Sequence, residues 1–246
     1  MENPAQNYIR FLIRFIFGFA GNVVSFGLFA SPAPTFYQII KRGAVEEFSP
    51  NPYLATLLNC LLWVFYGMPF VHPHSVLVVT INGVGIVMES IYIILYLRYS
   101  NKKQRMWVFK VLACELVFFA AAVVLTLFLA HGTKTRTLIV GILCVILNIC
   151  MYGMPLDVMR LVIKTKSIEY LPVMLSITSF CNGLLWLTYA LLRFDLFITI
   201  SNGTGAVLGS IQLVLIALYY KSTPKRGDKK PNEVQLSSAD GKISPV

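Results

Sequence analysis

The chain has 246 residues, 57% apolar and only 13% charged, with mean hydropathy +0.70 and a formal net charge of +10. Soluble domains carry about 25% charged residues, so a water-bathed globular protein is excluded. The apolar residues fall in blocks of the ~20 residues that cross a bilayer core as helix, which makes this an integral membrane protein and turns its basic excess into a question of sidedness rather than of nucleic acid.

Seven spans are expected, near residues 13–40, 51–70, 75–97, 107–130, 137–162, 171–192 and 197–220. The first block runs from Phe11 to Ile40 and contains Arg14, Asn22 and Pro32. It exceeds the ~7–15 apolar residues of a signal peptide and is expected to remain in the mature protein. The second span opens at Pro52 and carries Asn59 and Trp63. The third follows VHPHS and holds Asn82-Gly83-Val84-Gly85 and Glu89; the fourth follows RYSNKKQR and contains Glu115. The fifth follows HGTKTR and bears Pro155 and Asp157. The sixth, after KTKSIEY, opens at Pro172 and carries Asn182 and Trp186; the seventh, after RFD, holds Asn202-Gly203-Thr204-Gly205. Residues 222–246 are polar, rich in Pro, Gly and Ser, and read as a disordered cytoplasmic tail.

Alternate connections differ in charge. One side collects Lys41, Arg42, Arg98, Lys102, Lys103, Arg105, Lys110, Arg160, Lys164, Lys166 and the six basic residues from Lys221 onward. The other has Arg10, Arg14, Lys134, Arg136 and Arg193. The positive-inside rule then places the N-terminus outside and the C-terminus in the cytoplasm. Topology accounts for the net charge, and no nucleic-acid partner is expected.

The chain repeats itself. Pro32 precedes Lys41 by nine residues, as Pro155 precedes Lys164; Pro52 precedes Asn82 by 30, as Pro172 precedes Asn202. The expected all-α architecture is therefore two parallel three-helix bundles, residues 13–100 and 135–221. A linker helix at 105–132 restores the orientation of the second copy (3+1+3).

Matched prolines remove helical hydrogen bonds at matched places, so Pro32, Pro52, Pro155 and Pro172 are candidate hinges. Asn82 and Asn202 face either an interhelical partner or a central cavity, where a carboxamide suits sugar hydroxyls. Trp63 and Trp186 offer flat faces for sugar C–H groups or for packing. Asn59 and Asn182 divide between cavity lining and interhelical bonding. Of the ionisable groups within spans, Glu89 and Glu115 lack a repeat partner, and His72, His74 and His131 lie in outer connections. That favours downhill movement over a coupled pump. With no nucleophile–base pair, metal-ligand spacing or phosphate loop, the reading is not an enzyme and needs no cofactor or metal.

The stretches ASPAPTFYQIIK, VEEFSPNPYLATLLNC, VVTINGVG, GMPLDVMRLVIKTKSIEYLP and NGTG occur in order, and over residues 15–222 the chain resembles the SWEET sugar transporters (MtN3/saliva family). The segments IVGILCVILNICMYGMPL and LLRFDLFITI are most similar to the plant hexose-transporting clade II. The resemblance implies a bidirectional, energy-independent sugar uniporter working by alternating access, with hexoses such as glucose favoured. It places the hinge prolines on Pro32, Pro52, Pro155 and Pro172, the sugar-contacting asparagines on Asn82 and Asn202, and the pocket tryptophan on Trp186. It relates Trp63 to a variable pocket position and Asn59 and Asn182 to sugar size, and it implies a homotrimer in the plasma membrane, with the vacuolar membrane second. Ser201 stands where many members have Pro before the second NGxG run. Competing readings are a proton-coupled PQ-loop exporter, which needs Glu89, and a seven-span receptor, which short loops and the repeat oppose.

Overall fold

A computed structural model describes residues 4–223, so the tail beyond Thr223 lies outside the described residues. The described residues form nine helices: α1 Pro4–Ala30, α2 Ala33–Arg42, α3 Asn51–Gly67, α4 Val76–Tyr99, α5 Lys102–Leu129, α6 Thr133–Met151, α7 Gly153–Thr165, α8 Val173–Leu192 and α9 Leu196–Tyr219. Two of the seven spans are broken. α1–α2 and α6–α7 each cross once, and the remaining helices cross singly, giving the all-helical 3+1+3 arrangement. Of the helices that cross singly, α3 is the shortest, at 17 residues.

The first break follows from Pro32. Its ring leaves the Leu28 carbonyl without the usual donor, and the Ser31 amide takes that carbonyl instead at 3.1 Å. In the second break, Tyr152 turns the chain three residues before Pro155. Both half-helices then stop in left-handed backbone at matched positions: Gly43 (φ 71°) and Lys166 (φ 54°). Pro52 and Pro172 act differently. Pro52 sits in the first turn of α3 and Pro172 is the N-cap of α8, where a missing N–H costs no helical bond.

Helix ends differ from the hydropathy-based expectation for a physical reason. α5 starts at Lys102 because Asn101 and Gln104 form a reciprocal capping box inside a stretch whose charges read as loop. α1 likewise extends its helix to Pro4, beyond the apolar block.

Neighbour order is the same in both halves. α4 lies between α1–α2 and α3, and α9 lies between α6–α7 and α8; across the middle α1 packs on α8 and α3 on α6. α5 lies against α3, α4 and α6. At the face bearing the N-terminus the halves share one core, in which Tyr66, Val71, Val140, Cys144, Tyr189 and Ile198 meet. Toward the basic face there are two cores. One, around Phe36, Leu54, Tyr92 and Tyr96, belongs to the first half and α5; the other, around Met159, Val162, Leu171 and Leu215, belongs to the second.

Small residues allow the close approach of α1 to α8 and of α6 to α9. A Cβ at Gly18 would stand 2.6 Å from Leu77 Cδ1 and 2.8 Å from Tyr189, and one at Gly141 would strike the ring of Phe197. Overpacking of this kind costs about 1–3 kcal/mol. Gly141→Ala should therefore lower the detergent-solubilised Tm by several degrees. Gly27→Ala, where nothing lies within 4 Å, should leave it unchanged or raise it.

Candidate functional site

Beneath the shared core, at mid-span between the halves, lies a cavity of about 170 Å³. Trp63, Val78, Ile81, Trp186 and Ile198 belong to both the core and the cavity wall, so the core is the cavity's roof. All six residues singled out as binding candidates line it: Asn59, Trp63, Asn82, Asn182, Trp186 and Asn202. Ser25, Phe29 and Asn148 join them. Ser25 and Asn148 stand seven residues before Pro32 and Pro155, a matched spacing that could have revealed them.

The cavity is polar without being charged. Five carboxamides, from α3, α4, α6, α8 and α9, reach it, and none of the lining residues is ionisable. Asn82 and Asn202 are held alike: each Nδ2 donates one hydrogen to its own helix, to the Val78 carbonyl at 2.8 Å and the Ile198 carbonyl at 3.0 Å. That bond fixes the side chain and leaves one N–H and the amide oxygen of each for a ligand. The interhelical alternative for this pair is not what the geometry shows. Asn182 does take an interhelical bond, accepting from the Ser25 hydroxyl at 2.6 Å, while Trp186 Nε1 donates to the same Ser25 oxygen at 3.1 Å. Trp186 thus has its polar edge already used, and its contribution to the cavity is its ring. Asn59 Oδ1 is buried without a hydrogen-bond partner, an orphan acceptor that a ligand hydroxyl or water would satisfy.

Each tryptophan rests edge-on against a tyrosine one helical turn nearer the N-terminal face. Trp63 meets Tyr66 at 5.2 Å and 74°, and Trp186 meets Tyr189 at 5.2 Å and 73°. Both tyrosines are anchored across the middle. The Tyr66 hydroxyl donates to Asp195 at 2.8 and 2.9 Å, and His72 Nε2 approaches the same carboxylate at 3.0 Å. Arg14 lies 4.1 Å over the Tyr189 ring, and its Nε reaches the Tyr189 carbonyl at 3.4 Å. Asp195, between α8 and α9, also caps α9 through the Phe197 and Ile198 amides, each at 3.1 Å. Burial works against its charge, yet His72, the Ile198 amide and Tyr66 together hold its carboxyl below the usual value. Sequence reading passed over this latch because RFD looked like punctuation and His72 like a loop residue.

Glu89 is buried in α4 beside Cys60, Tyr53 and Tyr92, with one carboxyl oxygen unpartnered. It is not among the cavity's lining residues, and neither are Glu115 and Asp157.

This geometry has relatives. Residues 15–104 and 138–224 match the MtN3/saliva family model, described as sugar efflux transporters for intercellular exchange. The bidirectional sugar transporter SWEET7b of Oryza sativa subsp. japonica is 52% identical over 238 residues, covering 96% of this chain and 90% of that one. The bidirectional sugar transporter SWEET5 of Arabidopsis thaliana is 46% identical over 226 residues, covering 92% and 94%. A solved structure of a eukaryotic SWEET transporter superposes with TM-score 0.83 at 36% identity, covering 87% of this chain and 99% of that one. The chain belongs to the MtN3/saliva family, the SWEET transporters.

Proposed function

We propose that this protein is a uniporter that carries a neutral sugar, hexoses such as glucose before disaccharides, down its gradient in either direction. The observation that carries this reading is the cavity itself: amides and indole faces, no charge, at the junction of two like-oriented halves. Sugar hydroxyls bond to Asn82, Asn202 and the orphan oxygen of Asn59, while Trp186 and Trp63 cover the C–H faces of the ring. Net hydrogen-bond gains of about 0.5–1.5 kcal/mol each keep binding weak, which a carrier needs in order to release its cargo.

Transport is the exchange of one shared core for another. Here the halves share a core at the N-terminal face and keep separate cores toward the basic face, an arrangement that favours access to the sugar site from the basic side. Breaking the Asp195 latch and the α1–α8 and α3–α6 contacts, with bending at Pro32 and Pro155 and pivoting at Pro52 and Pro172, would open the opposite side. The moving units are residues 13–100 and 135–221, with α5 between them. The positive-inside bias puts the basic face in the cytoplasm and the N-terminus outside. By family resemblance we infer the plasma membrane as the address, with the vacuolar membrane as the alternative, and a homotrimer as the assembly; imaging of a tagged chain and cross-linking in native membranes test them.

In proteoliposomes, Asn82→Ala and Asn202→Ala should each reduce labelled glucose uptake to background with insertion unchanged; uptake at the wild-type rate would remove the site. Glucose counterflow should ignore an imposed pH gradient. Acceleration by protons that disappears in Glu89→Gln would instead indicate a coupled exporter.

The latch has its own readout in Cys144, which is fully buried in the shared core. Removing a charged hydrogen-bond partner costs about 1.5–3 kcal/mol. With the other four cysteines replaced, Asp195→Asn should raise maleimide labelling of Cys144 about tenfold or more. A carboxyl held below its usual value contributes fully above about pH 4 and loses its effect only as pH falls through the depressed value. Labelling of the chain with Asp195 intact should therefore not rise between pH 7 and pH 5.

A further inference from the structure

Apart from the sugar cavity, the basic face holds a groove of about 890 Å³ where α5 begins. One wall is a single face of α5: Lys102, Met106 and Lys110 are spaced by four, and Lys103, Trp107 and Lys110 by four and three, the intervals that align side chains on a helix. The other wall is the α2–α3 connection, with Glu47 and Ser49. Two bonds fix that wall: the Tyr96 hydroxyl donates to the Phe48 carbonyl at 3.0 Å and Gln104 Nε2 to the Glu46 carbonyl at 3.2 Å. Trp107, half exposed, is pinned by its Nε1–H to Asn51 Oδ1 at 2.9 Å.

The lysines are exposed, and among the described residues none of the three takes part in an ion pair. Of the two acids lining the groove, Glu46 is already bound by Arg42 at 2.7 Å, and Arg105 is turned away to the Leu97 and Arg98 carbonyls. Three ammonium groups that share a helix face with Met106 and Trp107, at the end of a membrane-crossing helix, match the charge and amphipathicity of a bilayer's head-group layer. Basic clusters directly beyond a span attract anionic lipid. The groove adds what a bare cluster lacks: depth, and a wall bearing a free carboxylate and a hydroxyl that can bond ring hydroxyls.

We propose that this groove binds the head group of an inositol phospholipid in the leaflet at the basic face. Phosphate sits among Lys102, Lys103 and Lys110, and inositol hydroxyls meet Glu47 and Ser49. The occupied groove ties the linker helix to the segment between Pro32 and Pro52, the two hinges of the first half. The transport consequence rests on the carrier reading above; binding does not.

The test uses the full chain in phosphatidylcholine nanodiscs doped with a fluorescent phosphatidylinositol phosphate, read by energy transfer from a label on the C-terminus. Binding should exceed that of fluorescent phosphatidylserine and fall on the order of 100-fold in the Lys102→Gln/Lys103→Gln/Lys110→Gln variant. Should that variant misfold, adding salt to the wild-type protein should release the lipid, and Lys110→Gln alone should weaken it. Equal binding of phosphatidylserine, or full binding in the triple variant, would overturn the proposal. So would equal affinity for a soluble inositol phosphate, which would point to a free anion rather than a lipid. Because binding is read without sugar, a chain that binds lipid but carries no glucose would count against the carrier reading alone.

Discussion

Where α1 crosses α8 and α6 meets the start of α9 beside α3, there is no room for even a methyl group at Gly18 or Gly141. In lipid, where apolar surface alone gives little drive for helices to associate, such close approach supplies the dispersion contact that holds spans together. Everything else rests on these crossings. The first joins the two halves and the second fixes α9 within its own half, so that the halves share one core at one end and keep two cores at the other, and the cavity is the space left just below the junction.

The cavity and its closure are mechanically one object. Trp63 and Trp186 touch cargo space on one side and Tyr66 and Tyr189 on the other, and those tyrosines are held by Asp195 and Arg14. A ring pushed or released from within can reach the latch through one edge-on ring contact, without any long-range relay. The polar groups of the wall are arranged with equal economy: helix carbonyls occupy one hydrogen of Asn82 and Asn202, so neither side chain needs reorganisation to meet a hydroxyl.

Much of this was legible in the sequence. The spans follow from block length, and the doubling from proline and asparagine spacing. The cavity residues follow from polar groups at matched depth, since a carboxamide facing lipid would lack partners. What escaped was whatever depends on where loops end up. Asp195, His72 and Tyr66 are 129 residues apart at the extremes yet share a hydrogen-bonded cluster, and no periodicity announces that. Asn148 escaped because its repeat counterpart, Ser25, differs in type. The start of α5 was hidden because hydropathy marks where lipid is, whereas helix is fixed by the Asn101 cap.

The latch also breaks the symmetry of the repeat. Asp195 lies 23 residues after Pro172, and 23 after Pro52 stands Ser75; Tyr66 lies fourteen after Pro52, and fourteen after Pro172 stands Trp186. A carrier assembled from two identical three-helix chains would have to place an acid and a tyrosine in both copies or in neither, because a twofold pair makes every contact twice. Covalent fusion through α5 frees the copies from that constraint. One position can then lock a door in the first copy and furnish a wall in the second, a division of labour open only to a single continuous chain.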